Sequence, residues 1–188
     1  MIPPMVSPDE PPDDPPPVIR TARLLLRPAR AADLAALHAI FSDPQTMRYW
    51  DRPAHDDIAP TRAFLDHFVR PDPARRFESI LELDGVCIGK AGVWNCPEVG
   101  FILARAHWGR GLMREALQAI LPLAFAAFPA LTAGADPRNR ASCRLLERLG
   151  SLRDRIGRRD FLYGGREWCD TAYYRLPRPA DQPPGVTR

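Results

Sequence analysis

The sequence predicts one mixed α/β domain whose central sheet, of about seven mostly antiparallel strands, is flanked by about four helices. The 188 residues are enough for a single domain with a buried core. Near the centre, two strand-like segments flank Asp84-Gly85, the strongest short hairpin signal in the chain. A strand–helix–strand unit follows over residues 99–135. Hairpins beside such a unit are typical of a mixed sheet with helices on both faces.

Before the hairpin, the sequence predicts one strand and two amphipathic helices. Residues 21–28 form the strand, which Pro28 ends. Residues 33–41 place apolar side chains on one helical face, and Asp33 is a suitable N-cap. Residues 60–69 form the second helix, because their apolar side chains recur with the same period.

From the hairpin onward, strands and helices follow one another in a regular order. The predicted elements are strand 77–83, strand 86–94, strand 99–103, helix 112–128, strand 131–135, helix 139–149 and a closing hairpin that ends at Leu176. Pro122 removes one backbone hydrogen bond and is expected to kink the long helix. Gly150 ends the next helix, and Gly164-Gly165 marks the turn of the closing hairpin.

Both ends of the chain are predicted to be disordered tails. Residues 1–19 are rich in Pro and Asp and cannot bury enough apolar surface to offset the entropy of ordering. Residues 177–188 are similar in composition. Residues 20–176, between the two tails, are therefore predicted to be the folded domain. Residues 1–19 lack the regions of a signal peptide, and no apolar run approaches about 18 residues, so we expect no membrane partner.

Charge and cysteine content limit the classes of partner. The formal net charge is +3, and nearly all of the positive charge is arginine. The arginines either form a solvent-exposed surface without a partner or bind an anionic one, such as a phosphate-bearing cofactor, a nucleic acid or an acidic protein. No nucleic-acid motif accompanies it, so we expect no nucleic-acid partner. The four cysteines and four histidines lack redox or ligand spacing, which predicts no metal and a reduced, cytoplasmic protein.

The decapeptide HWGRGLMREA, residues 107–116, lies where a predicted strand becomes a helix. Unpaired N–H groups and the positive end of the helix dipole favour an anion at such a junction. Gly109 and Gly111 would let a diphosphate approach the main chain, and Arg110 adds a permanent positive charge. The segment is not a P-loop, and Arg114 occupies the third glycine position of the dinucleotide fingerprint. A glycine-rich turn that binds no ligand is the alternative.

Two segments in order, EVGFILARAHWGRGLMREAL and DPRNRASCRLLERLG, resemble the GNAT acyltransferase superfamily and its RimJ/RimL-like N-acetyltransferases. The opening TARLLLRPARAADLAAL and the ending WCDTAYYRL are also similar to that branch, so the resemblance covers residues 21–176. It implies a GNAT-like fold and an acetyl-CoA-dependent N-acetyltransferase. The acetyl group would go directly to a primary amine, either a protein N-terminus, possibly ribosomal, or a small molecule.

The resemblance implies acetyl-CoA as the cofactor and assigns residues to it. Main-chain amides from Trp108 to Met113 would hold the diphosphate, with Gly111 as the central glycine, and the preceding strand would bond the pantetheine arm. The side chain of Met113 could crowd the phosphates. The cofactor-binding residues so implied are Phe101, Ile102, Leu103, Trp108, Gly109, Arg110, Gly111, Leu112, Met113, Asn139 and Ser142.

Catalytic residues also follow from the resemblance, which implies a backbone N–H near Leu103 for the thioester carbonyl. Many relatives protonate the thiolate with a tyrosine, but Leu146 stands at that position here. Ser142 is therefore the candidate donor, with helix capping as its alternative role, and Tyr163 is the next candidate. For the general base the candidates are Glu98 and Asp160, whereas Asp170 is interpreted as structural.

The amine acceptor is expected to meet Tyr49 and Trp50, which lie in the polar loop between the first two predicted helices. Core packing is the alternative for both side chains. A different class of function also remains, a catalytically degenerate acyl-CoA-binding or regulatory module of the same fold. The resemblance also makes a homodimer an unsurprising assembly.

Overall fold

The computed structural model describes residues 17–69, 77–95 and 97–179. In this part of the chain the strands are β1 (Ile19–Arg20), β2 (Leu25–Arg27), β3 (Phe77–Leu83), β4 (Val86–Asn95), β5 (Glu98–Leu103), β6 (Ala130–Ala135), β7 (Leu152–Tyr163) and β8 (Glu167–Pro177). The α-helices are α1 (Leu34–Phe41), α2 (Pro44–Met47), α3 (Ile58–Val69), α4 (Leu112–Ala127) and α5 (Arg140–Arg148). The predicted fold class is confirmed, and β1 and α2 are two short elements that the sequence did not predict.

The strands form one sheet in the order β1-β2-β3-β4-β5-β6-β8-β7. Every neighbouring pair is antiparallel except β5 and β6, which the crossover through α4 makes parallel. Within the described residues these two strands share a single register pair, Glu98 with Thr132. Their ladder therefore does not continue toward Leu103 and Ala135, and the sheet opens between the two strands at that end.

Two apolar cores lie on opposite faces of the sheet. The face that we call the α4 face packs against α4 and α5 and includes Leu131, Ala133 and Tyr174. The opposite face, called the α1 face, packs against α1 to α3 and includes Ile80 and Ile102. Because side chains alternate along a strand, the position of any strand residue relative to these two cores gives its face.

Asp33 occupies the N-cap position of α1, as predicted, but its side chain does not bond the first N–H groups of the helix. The carboxylate instead accepts hydrogen bonds from both terminal nitrogens of Arg27, at 2.8 and 2.6 Å, and from the N–H of Arg30 at 2.9 Å. Burial alone would raise the pKa of Asp33, but these donors outweigh burial and lower it. The pair of buried charges ties β2 to the start of α1.

The boundaries of the predicted domain and the long helix differ slightly from expectation. β1 begins at Ile19, one residue before the predicted start, and β8 ends at Pro177, one residue after the predicted end. The predicted tails lie mainly outside the described residues. Helix α4 continues through Pro122, whose ring lies on the exposed side. Across the described ranges, no helix combines the length and apolar character that a bilayer crossing requires.

Candidate active site

The gap between β5 and β6 leaves main-chain groups of β5 without a strand partner. The N–H of Ala104 donates to the carbonyl of Ile88 on β4 at 2.8 Å. In an antiparallel ladder, alternate residues direct their N–H and C=O groups to opposite sides, so Phe101 and Leu103 direct theirs toward β6. The indole Nε1 of Trp108 donates to the Leu103 carbonyl at 2.7 Å and thereby ties the following loop to this strand.

The loop between β5 and α4 presents a run of free amides. Gly109 and Gly111 have φ angles of +72° and +76°, which only glycine adopts without strain. No group within the described residues accepts from the N–H groups of Gly109 or Gly111. Leu112 and Met113 open α4, so their N–H groups lack a carbonyl one turn earlier. The N–H of Trp108 is the exception, because it donates to the carbonyl of Arg105 at 3.1 Å.

The space in front of these amides is open and positively charged. A Cβ at Gly109 would meet nothing within 4 Å, and one at Gly111 would meet only Arg23 Nη2, at 3.6 Å. The N-terminus of the 16-residue helix α4 adds the positive end of its dipole. The exposed Arg110 and Arg114 have no carboxylate partner in the described part of the chain. The site therefore fits a diphosphate group.

The side chains of α4 that were expected near the phosphates lie in the core instead. Met113 is only 7% exposed and Leu112 is fully buried, both in the core on the α4 face. The expectation that Met113 crowds the loop is therefore wrong, because its side chain points away from the amides. Leu146, at the position of the tyrosine of many relatives, is also buried in this core.

Arg23 holds the amide loop from behind. Its Nη1 donates to the carbonyl of Arg110 at 2.8 Å, and its Nε donates to Glu115 at 2.7 Å. Glu115 also accepts from the hydroxyl of Thr21 at 2.6 Å. Burial would raise the pKa of Glu115, but the hydrogen bonds from Thr21 and Arg23 outweigh it and lower the pKa. With the Arg110 carbonyl held by Arg23, the neighbouring N–H groups remain directed toward the open side.

We expect Arg23→Ala to weaken binding of acetyl-CoA, the cofactor that the sequence resemblance implies, about three- to tenfold, because the loop loses one charge-assisted hydrogen bond and its fixed orientation. Isothermal titration measures the change. Arg20→Ala is the matched control, since Arg20 is exposed and has no side-chain hydrogen bond within the described residues. Equal affinities for the Arg23→Ala and Arg20→Ala variants would contradict the assigned role of Arg23.

The predicted residues Asn139 and Ser142 lie together at the N-terminus of α5. The side-chain oxygen of Asn139 caps the helix by accepting from the N–H of Ser142 at 3.2 Å. The amide nitrogen of Asn139 takes no part in this cap and remains available to a ligand. The half-buried hydroxyl of Ser142 has no hydrogen-bond partner among the described residues. The capping role belongs to Asn139, which leaves the Ser142 hydroxyl available.

Glu98 lies beside the closed end of the gap, on the α1 face. One of its carboxylate oxygens is 3.6 Å from the point that a Cβ on Gly134 would occupy. The described residues provide no hydrogen bond to this half-buried carboxylate. Burial raises the pKa of Glu98 above its usual range. A desolvated carboxylate without a fixed partner has the properties of a general base.

The second candidate base, Asp160, lies in a bulge of the edge strand β7. It is exposed and accepts a hydrogen bond from the Tyr173 hydroxyl at 2.9 Å. Tyr173 pairs with Gly134 in the sheet, so Asp160 shares the α1 face with Glu98 but lies farther from the gap. Asp170 accepts from the N–H of Arg159 and from Arg158, consistent with a structural role.

The loop between α1 and α3 separates the two predicted acceptor residues. Tyr49 lies with its ring 5.8 Å from the guanidinium of Arg138, which immediately precedes Asn139. Trp50 instead packs against the core, 6.5 Å from the Phe41 ring and 5.7 Å from the Lys90 amine. Trp50 is therefore a packing residue, which was the alternative interpretation, because its ring covers a buried cation.

Tyr163, the second candidate for the hydrogen-bond donor to the thiolate, already uses its hydroxyl elsewhere. Its hydroxyl donates to the carbonyl of Met47 at 3.3 Å and joins the closing hairpin to α2. Burial raises the pKa of Tyr163. The hydroxyl is thus engaged, and Ser142 remains the better placed candidate.

Sequence reasoning missed an exposed tryptophan at the site. Trp94, on β4, is 41% exposed and lies over Gly100, where an added Cβ would come within 2.8 Å of the indole. Gly100 and Glu98 share the α1 face, since they are two positions apart on β5. Side chains alternate between the two faces along β4, which assigns Trp94 to one of them. Only the pairing of β4 with β5 shows that this is the face of Glu98.

A family description, "Acetyltransferase (GNAT) domain", matches residues 23–151 of the chain. The chain belongs to the GNAT acetyltransferase family. The match includes the open gap of the sheet, the amide loop and helix α5. The family binds acetyl-CoA, and this GNAT protein is accordingly an acetyltransferase.

Relatives of this GNAT protein are similar over most of their length. The "Uncharacterized N-acetyltransferase p20" of Bacillus licheniformis is 29% identical over 71% of this chain and 84% of its own. The "Uncharacterized protein YkkB" of Bacillus subtilis is 30% identical over 69% of this chain and 82% of its own. Among solved structures, "RimL- Ribosomal L7/L12 alpha-N-protein acetyltransferase in complex with Coenzyme A" superimposes with a TM-score of 0.74. It covers 87% of this chain and 99% of its own at 18% identity, so this likeness concerns the fold.

Proposed function

We propose that this GNAT protein transfers the acetyl group of acetyl-CoA directly to a primary amine of a protein N-terminus or a small molecule. The observation that carries the proposal is the run of free amides from Gly109 to Met113, at the N-terminus of α4 and beside the open gap of the sheet. Those amides bind the diphosphate of coenzyme A, and the N–H and C=O groups of Phe101 bind the pantetheine arm in the gap. The named RimL relative is a protein N-acetyltransferase in complex with coenzyme A, which supports the same chemistry here.

Bound acetyl-CoA supplies an acetyl group activated as a thioester. The N–H of Leu103, directed toward the gap, polarises a carbonyl oxygen placed there. The Ser142 hydroxyl donates a hydrogen bond to the leaving thiolate at the N-terminus of α5, where the helix dipole also favours negative charge, and the thiolate then takes up a proton from solvent. Glu98, at the closed end of the gap, accepts the proton of the attacking amine through bridging water, because burial raises its proton affinity above that of an ordinary glutamate.

A base of moderate strength is sufficient for an N-terminal acceptor. A protein α-amine has a pKa of about 7.7–8.0, so roughly a tenth is neutral at pH 7, whereas a lysine amine is almost entirely charged. A single half-buried carboxylate such as Glu98 therefore suits an α-amine better than a lysine side chain. This argument favours an N-terminus within the proposed range of acceptors.

We expect Glu98→Gln to lower kcat/KM by about 100-fold and to remove one ionisation from the acid limb of its pH profile. The wild-type carboxyl becomes a base only above its pKa, which lies above the 4.5 usual for glutamic acid. Wild-type activity therefore falls as pH decreases through two ionisations, that of Glu98 and that of the amine. The variant retains only that of the amine.

The assay measures thiol release from acetyl-CoA with a panel of amines and N-terminal peptides. Asp154→Gln is the control, since Asp154 is an exposed carboxylate on β7 without an ion pair in the described residues. Binding of acetyl-CoA without turnover on any amine would contradict the proposed function and favour a degenerate acyl-CoA-binding module. An unchanged pH profile in Glu98→Gln would contradict only the role of Glu98.

A further inference from the structure

Within the described residues, no helix covers the α1 face of the sheet beyond the gap. Helices α1 to α3 cover β3 to β5 on this face, whereas Thr132, Gly134 and Arg175 on β6 and β8 are exposed. Gly134 pairs with Tyr173 on β8, and Tyr173 pairs with Arg155 on β7. A row of side chains on one face thus leads from the carboxylate of Glu98, over Gly134, to the edge of the sheet.

Arg155 is held in a fixed position on this surface. Its guanidinium lies 3.7 Å from the centroid of the Tyr173 ring, a close cation–π contact. The Tyr173 hydroxyl in turn donates to Asp160 at 2.9 Å. This hydrogen bond holds the Tyr173 ring in place. The arrangement fixes the flat guanidinium beside the path to the gap.

Two arginines on this face have no acidic partner in the described part of the chain. Within the described residues, neither Arg155 nor Arg175 has a carboxylate oxygen within 4.0 Å, although the exposed Arg158 on the same hairpin pairs with Asp170 at 2.6 Å. Arg175 lies two positions from Tyr173 on β8 and therefore on the same face. The surface beside Glu98 thus combines one base for the amine with two cations that no described carboxylate neutralises.

We propose that Arg155 and Arg175 recognise an acidic side chain near the N-terminus of the acceptor peptide, an inference that rests on the proposed acetyltransferase function. Arg155 lies two strands from Gly134, a separation of roughly 10 Å at the usual strand spacing. An extended peptide advances about 3.3 Å per residue, so a carboxylate on its second or third residue comes within this span when the α-amine is at Glu98. A guanidinium matches a carboxylate with two parallel hydrogen bonds.

The test compares acetylation of two peptides that differ only by Glu or Gln at their second and third residues. The wild-type protein prefers the acidic peptide by at least about fivefold in kcat/KM, and the preference decreases at 1 M salt, where the Debye length is about 3 Å. The Arg155→Glu/Arg175→Glu variant reverses it in favour of a peptide with Lys at both positions. Arg62→Glu, on the exposed side of α3, retains the wild-type preference.

The outcomes distinguish this inference from the function on which it depends. Turnover of both peptides at equal rates, or an unchanged preference in the double variant, overturns the recognition of acidic side chains and leaves the acetyltransferase proposal standing. Faster acetylation of free glutamate than of either peptide overturns the peptide assignment. Absence of turnover with every amine overturns both. Thermal melting of the double variant at the wild-type temperature verifies that it remains folded.

Discussion

Gly111→Glu is expected to weaken acetyl-CoA binding by about 100-fold or more while the fold is retained. The reason is repulsion between the new carboxylate and the nearby diphosphate. Gly111 has a φ angle of +76°, a conformation that a side chain adopts only with strain. The new carboxylate would also lie among the free amides from Gly109 to Met113, where the diphosphate is proposed to bind. Isothermal titration gives the affinity, and circular dichroism verifies the fold.

Gly85→Glu is the matched control for this variant. Gly85 has a φ angle of +80° and open space around it, but it lies in the turn between β3 and β4. Both variants therefore carry similar backbone strain and the same added charge, and they differ only in location. If Gly85→Glu and Gly111→Glu bound acetyl-CoA equally well, the loop would not be the diphosphate site.

Glu78→Leu is expected to lower the free energy of unfolding by about 3–5 kcal/mol, because it leaves Lys90 buried without its counter-ion. The side chains of Lys90 and Glu78 are 4% and 3% exposed and form an ion pair on the α1 face. The rings of Phe64 and Phe68 lie 5.0 and 5.6 Å from the ammonium group. Urea unfolding followed by fluorescence measures the loss.

The double variant Glu78→Leu/Lys90→Met separates the cost of an unpaired charge from any loss of packing. Both buried charges are absent, and the aromatic rings pack against an aliphatic side chain of similar length. We expect its stability to return to within about 1.5 kcal/mol of wild type, as for other buried pairs that are replaced together. A double variant as unstable as Glu78→Leu would mean that the ion pair itself, and not its balance of charge, stabilises the sheet.

Long periodic elements were predictable from the sequence, and short ones were not. The apolar period gave α1, α3 and α4, and Asp84-Gly85 gave the turn between β3 and β4 with its bounds. β1 has two residues and α2 has four, which is too short for a period to be recognised. Asp33 followed a cap pattern but was drawn to Arg27 on β2, a contact that only the tertiary structure creates.

In the candidate site, too, local features were predictable from the sequence and distant contacts were not. The glycines and the strand-to-helix junction are local features, so residues 109–113 could be predicted as an anion site from sequence. Arg23 could not, because it is 92 positions from its partner Glu115. Trp50 was expected at the acceptor surface, but its partly buried ring packs against the core on the α1 face and lies 5.7 Å from the amine of Lys90. A single sequence does not reveal which cation lies beneath which aromatic ring.

The most direct measurement of the central claim is an amide chemical-shift titration of the ¹⁵N-labelled protein with coenzyme A. The largest shifts are predicted for the N–H groups of Gly109, Arg110, Gly111 and Met113, which have no acceptor among the described residues. The Trp108 amide, already bonded to the carbonyl of Arg105, should change less. Saturating coenzyme A that leaves the amides of residues 109–113 unshifted would contradict the account.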